Sequence, residues 1–274
     1  MKKLNQIFKV KKPIIGMLHL DYLAGSKEFK SIDYVINKAI KDIQALEEGG
    51  IDGIIIENWK EDSIGEFVST ETASFFEAVC IKLAKYIHVP FGINVLNNDY
   101  KVALSVAKLT KASFVELDVF VDHVISDFIH SPIASKNPFE IKVTPKEIKD
   151  YAKKIGAQNI PLYVFVQPKH YKMIDKNKPI ETSVRQAIDG GAAAILITKE
   201  TGTAPTLDLI KKAKSAAGNT PVGIGSGLSA ENAAKYLLVA DFAVVGSSIK
   251  LNGDVDNPVD LQRVQELIKV SRKE

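Results

Sequence analysis

The segment Thr220–Lys250, TPVGIGSGLSAENAAKYLLVADFAVVGSSIK, decides the fold. A short apolar run from Pro221 to Ile224 stops at Gly225-Ser226-Gly227, and a helical pattern follows with Ser229 as its expected N-cap. A second apolar run, Phe242 to Val245, stops at Gly246-Ser247-Ser248. Each glycine alone fits a tight turn between strand and helix. Together, one strand apart, the two turns predict a phosphate site: glycines let the backbone approach a ligand, and the free N–H groups of a helix start face a negative charge. In a (β/α)₈ barrel the loops after strands seven and eight often hold a phosphate. The predicted phosphate binders are therefore Gly225, Ser226, Gly227, Gly246 and Ser247.

Working outward, short apolar runs alternate with longer helical patterns along the whole chain. This alternation predicts parallel strands joined by crossover helices. The strands are expected at Pro13–Leu18, Gly53–Ile56, Phe91–Val95, Phe114–Leu117, Leu162–Val166 and Ala193–Ile197, before the two already quoted. Helices are expected near 32–48, 72–87, 100–109, 180–189, 205–217 and 259–270, with another starting at the Thr144-Pro145 cap. About eight βα units in 274 residues fit one α/β TIM barrel, (β/α)₈, over residues 1–274. The stretch 119–143 is longer than its counterparts, and such loops at strand ends are often lids.

The 36 basic and 33 acidic residues leave a net charge of +3, too balanced for a nucleic-acid binder. No apolar run approaches the ~20 residues of a membrane span. The basic start MKKLNQIFKVKK lacks the continuous apolar core of a signal peptide. Cys80 is the lone cysteine and sits on a helical core stripe, so there is no internal disulfide. A cytoplasmic protein is the simplest reading. Self-association is common among barrels and is left open, since nothing specifies an interface.

In this fold the chemistry sits where strands end. His19 follows strand one. Glu57 terminates a wholly apolar strand and is read as functional, because buried carboxylates are rare unless paired. Asn58 and Asn97 are turn formers or ligand contacts. Asn94, disfavoured inside a strand, is expected to face the barrel mouth. Glu116 or Asp118 faces the mouth too, and Asp99 is a candidate helix N-cap. Lys169 is a Schiff-base nucleophile, a plain cation for an anionic substrate, or a solvated surface residue. The expected catalytic set is His19, Glu57, Asp118 and Lys169. The expected substrate contacts are Asn58, Asn94, Asn97, Asp127, His170 and Thr198. No spacing matches a metal motif, so no cofactor is implied, although the carboxylates leave a divalent metal open.

Taken together, several blocks resemble the BtpA family, which includes the SgcQ proteins. They are PIIGMLHL, EEGGIDGIIIEN ending at Glu57-Asn58, PFGINVLNND with Asn94, Asn97 and Asp99, the pair Lys169-His170, Gly225-Ser226-Gly227 with Glu231-Asn232, and Val245-Gly246 with Lys250. The segment ELDVFVDHVISDF departs from the family pattern, with Asp118 and Asp127 at roughly matching places. The resemblance implies a barrel similar to ribulose-phosphate-binding barrels. The residues at the strand ends and the resemblance together leave two functional expectations. One is an enzyme on a phosphorylated sugar or nucleoside-like compound, a nucleosidase, isomerase or aldolase-like lyase. The other is a non-catalytic assembly or biogenesis factor working through protein partners.

Overall fold

A computed structural model describes residues 4–60, 65–126 and 138–272. In chain order its strands are β1 (Ile14–His19), β2 (Gly53–Glu57), β3 (Phe91–Asn94), β4 (Phe114–Leu117), β5 (Val124–Ser126), β6 (Glu140–Ile141), β7 (Leu162–Phe165), β8 (Tyr171–Met173), β9 (Ala194–Ile197), β10 (Val222–Ile224) and β11 (Phe242–Val245). The helices are α1 (Leu4–Ile7), α2 (Ile32–Glu48), α3 (Thr70–Leu83), α4 (Tyr100–Thr110), α5 (Pro145–Lys154), α6 (Ile180–Asp189), α7 (Leu207–Ala217), α8 (Ala233–Leu237) and α9 (Leu261–Ser271). Eight parallel strands close a barrel in the order β1-β11-β10-β9-β7-β4-β3-β2, so the chain is a (β/α)₈ TIM barrel.

Local chemistry sets the helix starts. Ser31 caps α2 by accepting from Tyr34 N–H at 3.1 Å, and Val35, Ile36, Ala39, Ile43 and Leu46 of that helix are buried. Asp99 caps α4 through Lys101 and Val102 N–H, the capping alternative read from the sequence. Thr144 and Glu147 form a capping box on α5, with Pro145 in the first turn. One cap differs from expectation. The helix after β10 begins at Ala233, not at Ser229, whose N–H instead donates to Asn232 Oδ1 at 3.0 Å. A longer, irregular connection thus stands between Gly227 and the helix.

Strand alternation divides the core in two. Outward side chains such as Ile54, Ile56, Val115, Val164 and Ile195 pack under the helices in the larger cluster, where Cys80 is buried as expected. Inward side chains fill the barrel in a second cluster: Ile15, Met17, Ile55, Phe114, Tyr163, Phe165, Leu196, Phe242 and Val244. Inward glycines make room for the rings. A Cβ on Gly92 would lie 2.3 Å from Phe114 Cε2, and one on Gly223 would lie 2.5 Å from Phe242 Cζ. The Phe114 and Tyr163 rings stack with centroids 4.4 Å apart.

The sequence reading passed over two features. The N-terminal α1 and Phe8 close the bottom of the barrel, where a Cβ on Gly53 would lie 2.6 Å from Phe8 Cε1. The long 119–143 connection, expected as an irregular lid, carries β5 and β6, which join β8 in an antiparallel sheet of order β6-β5-β8. Strands of two and three residues are too short for periodicity to betray them. Residues 127–137, with Asp127 among them, lie outside the described residues.

Because Phe8 is buried against both Gly53 and Phe114, Phe8→Ala should lower unfolding stability by about 3–5 kcal/mol. Leu238→Ala, at a residue 82% exposed, should change it by less than about 0.5 kcal/mol. Urea unfolding checks the pair, and equal midpoints would remove Phe8 from the core.

Candidate active site

The barrel interior turns polar at the strands' C-terminal ends, as the register requires. His19 pairs in register with Glu57, and Glu57 with Asn94, so three successive strands aim polar side chains inward at one level. Glu116 shares the inward side of β4 with Phe114, and Asp118 follows two residues on. These residues line a cavity of about 480 Å³ together with Lys169, His170 and Tyr171. The opposite wall is made by the loops after β9, β10 and β11, including Gly227, Gly246, Ser247 and Ser248.

The carboxylate side is closely wired. Asn94 Nδ2 donates to Glu116 Oε2 at 2.9 Å and to Asp118 Oδ1 at 3.2 Å. His19 Nε2 lies 3.2 Å from Glu57 Oε2, and the His19 ring stacks on Trp59 at 4.9 Å. Tyr171 donates its hydroxyl to Asn97 O at 2.6 Å, with Asp118 Oδ2 at 3.4 Å. Glu116 Oε1, His19 Nδ1 and Ser248 Oγ are buried without a hydrogen-bond partner.

Burial dominates the titration of these groups. It raises the Glu116 carboxyl to about 8; the Asn94 amide works against this, and the charges of Glu57 and Asp118 add to it. Burial also raises Asp118 to about 7, with Glu57 reinforcing. The same desolvation lowers the His19 imidazole below its ordinary value, against the pull of Glu57. Tyr171 is pushed well above the usual phenol range, first by burial and then by Asp118, so it stays a proton donor. Near neutral pH the mouth therefore holds a neutral imidazole beside carboxyls poised between their two forms.

The lysine loop is bent into place. Gln167 and His170 both adopt left-handed backbone, with φ of 48° and 66°. The buried Asp122 fixes the bend by accepting from Gln167 N–H at 2.7 Å, Lys178 Nζ at 2.6 Å and Ser183 Oγ at 2.7 Å. His170 Nε2 meets Thr201 Oγ1 at 3.0 Å, linking this loop to the one after β9. Lys169 lines the cavity and makes no ion pair within 4 Å among the described residues.

The structure brings His19, Glu57, Asn94, Asn97, Asp118, Lys169 and His170 to one cavity. Two expected ligand contacts do not reach it. Asn58 accepts from Leu96 N–H at 2.7 Å and donates to Leu96 O at 3.3 Å, clamping the loop after β3. Thr198 donates to Ser226 Oγ at 2.9 Å behind the wall.

All five expected phosphate residues line the cavity, though groups of two of them are already engaged. Gly225 donates its N–H to Ile197 O at 2.8 Å, and its missing Cβ makes room for Phe165, 2.3 Å away. Ser226 Oγ accepts from Lys199 N–H and donates to Thr203 O, both at 3.0 Å, so its hydroxyl is spent on tying two loops. Gly227 remains, with φ of +71°, pressed so tightly on Ala204 that a Cβ would lie 2.0 Å from its nitrogen. The backbone N–H groups of Gly227, Ser247 and Ser248 have no acceptor among the described residues. Tyr171 was not singled out from sequence. Ser248 was legible as the third residue of the second glycine turn, whereas Tyr171 reaches Asp118 only because β8 folds back over the mouth.

Among the described residues no group of three His, Cys, Asp or Glu side chains is arranged to hold a metal ion. No helix there is long and apolar enough to cross a membrane. Fold and cavity together define a (β/α)₈ barrel with an acid-lined mouth facing a glycine-serine wall. The chain belongs to the BtpA family, which it matches over residues 10–273. An uncharacterized protein of Archaeoglobus fulgidus is 30% identical over 96% of this chain and all of its own. The photosystem I biogenesis protein BtpA of Synechocystis is 29% identical, over 97% of this chain and 90% of its own. Among solved structures, Mycobacterium tuberculosis tryptophan synthase superposes with a TM-score of 0.60 at 12% identity, covering 96% of this chain and 94% of its own. Phosphoribosylanthranilate isomerase from Thermotoga maritima gives 0.56 at 14%, covering 95% and 98%. At such identities the likeness is one of fold.

The raised carboxyls set a pH dependence. Folded Glu116 keeps its proton up to about pH 8, while the unfolded chain releases it near 4.5. Across that window the native state binds more protons, so stability falls as pH rises and levels off above it. Asp118 acts likewise between about 3.8 and 7. Glu116→Gln keeps the bond from Asn94 and should flatten the slope, melting higher than the parent at pH 9 and closer to it at pH 4.5. Thermal melts across this range decide, and an unchanged slope would mean that Glu116 ionises freely.

Proposed function

We propose that this protein is an enzyme acting on a phosphorylated sugar or nucleoside-like small molecule at the barrel mouth. One juxtaposition carries the reading: free backbone N–H groups on one wall of the cavity face a cluster of titratable carboxyls on the other. The phosphate is held by Gly227, Ser247 and Ser248 N–H, with Gly246 packed beside His19, where a Cβ would lie 3.3 Å from its Cε1. Such N–H groups recognise a phosphate without adding net charge to a crowded site. Lys169, in no ion pair among the described residues, supplies the cation and steadies negative charge that develops on the substrate.

The carboxyl wall supplies proton transfer. Glu57, aligned by His19, is the proposed base. Asp118, kept partly protonated near neutrality, is the proposed acid and takes part in binding the carbon skeleton. An acid and a base held in different environments across one cavity suit N-glycosidic cleavage, aldose–ketose isomerisation and carbon–carbon cleavage. Among these, isomerisation and cleavage of an open-chain sugar use Lys169 most directly, since both pass through an enolate- or alkoxide-like charge. The assembly-factor reading rests on the likeness to the Synechocystis photosystem I biogenesis protein, and no feature of the cavity favours it.

A thermal-shift panel of inorganic phosphate, ribose 5-phosphate, hexose phosphates, nucleosides and nucleoside monophosphates tests binding. A ligand at 100 times its dissociation constant adds about 2.7 kcal/mol to stability, a readable shift. A phosphorylated member should exceed both phosphate and its unphosphorylated parent. With that substrate, Glu57→Gln should lower kcat by about 10²–10⁴-fold while the melt stays within a few degrees. No response from any phosphorylated compound would overturn the reading.

A further inference from the structure

We propose that the substrate's end opposite the phosphate carries a protonated nitrogen, an ammonium seated among Glu57, Glu116 and Asp118. This deepens the phosphorylated-substrate reading and rests on it.

The argument begins with a charge imbalance. Glu57, Glu116 and Asp118 line one cavity, and Glu57 and Glu116 are no more than 6% exposed. Charged groups so buried are ordinarily paired. Yet among the described residues the only ion pair any of the three makes is with His19, whose imidazole burial holds neutral. Lys169 lies near enough to influence Glu116 and Asp118 electrostatically, but not within 4 Å of either. The fully buried Lys250 is committed to Asp42 at 3.4 Å.

A second observation points to the ligand's chemistry. The unsatisfied buried atoms on this wall are acceptors once the carboxyls ionise. Glu116 Oε1 has no partner, and with Asn94 on Oε2 it is the oxygen that gives up the proton. If the neutral His19 donates from Nε2 to Glu57, its partnerless Nδ1 presents a lone pair. Of the local donors, Asn94 is engaged on Glu116 and Asp118, and Tyr171 on Asn97 O, which leaves Lys169, more than 4 Å from these carboxylates. A sugar hydroxyl brings one donor and two lone pairs, and those lone pairs would find few donors here. An ammonium brings three donors, no acceptor and a positive charge. It matches the wall in both hydrogen bonding and charge. A bare divalent ion fits less well, because no three such side chains have ligating geometry among the described residues. In the empty cavity protons on Glu116 and Asp118 hold the charge down, so the incoming ammonium should displace them.

The test uses matched esters on the full-length protein in EDTA: glucosamine 6-phosphate against glucose 6-phosphate, and 2-aminoethyl phosphate against 2-hydroxyethyl phosphate. Inorganic phosphate and free glucosamine serve as controls. In at least one pair the amine should bind about tenfold or more tighter, as expected for one pKa unit of charge stabilisation. Its binding enthalpy at pH 7.5 should vary between buffers of different ionisation enthalpy, reporting proton release, and the hydroxyl partner's should not. In the double variant E116Q/D118N the preference should fall towards unity, with the fold checked by its melt. If this variant does not fold, E116Q alone should reduce the preference.

Equal affinity of amine and hydroxyl in both pairs, with binding above that of phosphate, would overturn the ammonium seat and leave the phosphate reading standing. A melt shift by MgCl₂ or MnCl₂ alone, without EDTA and abolished in the variant, would overturn it in favour of a metal. Failure of every phosphorylated ligand would overturn the phosphate reading itself.

Discussion

Everything at the mouth depends on how the lower barrel is filled. Eight strands present alternate residues to one closed interior, and that space must be packed at near-crystalline density. The chain solves this with rings set against glycines: Phe8 on Gly53, Phe114 on Gly92, Phe242 on Gly223 and Phe165 on Gly225. A large residue on one strand is matched by the absence of a side chain on another. Because these contacts fix the register of β2, β3, β4, β7, β10 and β11, they also fix where each strand's next inward residues stand. Glu57, Asn94 and Glu116 are those residues, one step above Ile55, Gly92 and Phe114.

The apolar floor has an electrostatic consequence. Carboxyls set directly on a layer of rings lose hydration on that side, and desolvation is the largest influence on both Glu116 and Asp118. The structure offsets this only in part. Asn94 bridges the two acids, Tyr171 donates near Asp118, and His19 aligns Glu57. These interactions hold positions without supplying charge. The cluster is therefore rigid but electrically unfinished, which is how a site looks when a ligand or transition state completes it.

Much of this is legible in the sequence. The apolar runs located the eight barrel strands, and Thr144 and Asp99 announced their helices through capping chemistry. Glu57 and Asn94 stood out because their types conflict with an apolar strand, and that conflict is what a mouth-facing residue produces. The phosphate wall was legible only as a region. From sequence, a glycine that yields space to a ring, such as Gly225, reads like one that admits a ligand. Ser226 and Thr198 looked like ligand contacts because nothing local reveals that they bond to each other across two loops. The sheet formed by β5, β6 and β8 was hidden for a related reason. Its strands are stabilised by partners dozens of residues away, and two or three residues carry no period.

That small sheet changes how the site should be understood. It grows from the ends of β4 and β7, the two strands that carry Asp118 and Lys169. Tyr171, at the start of β8, reaches from it to Asp118 and to the loop after β3. Asp122, just before β5, holds the bend that aims Lys169. The same folded-back segment thus positions the acid and the cation, one through a phenol and the other through a buried carboxylate. Acid and cation are held as one unit over the mouth, while the glycine-serine wall is braced separately by Ser226 and Asn232. The two sides already meet where His170 Nε2 lies 3.0 Å from Thr201 Oγ1, and a ligand spanning the cavity would join them at a second point. Binding at both ends would then tighten the mouth more than binding at either one, because only a ligand engaged at both ends restrains one side against the other there.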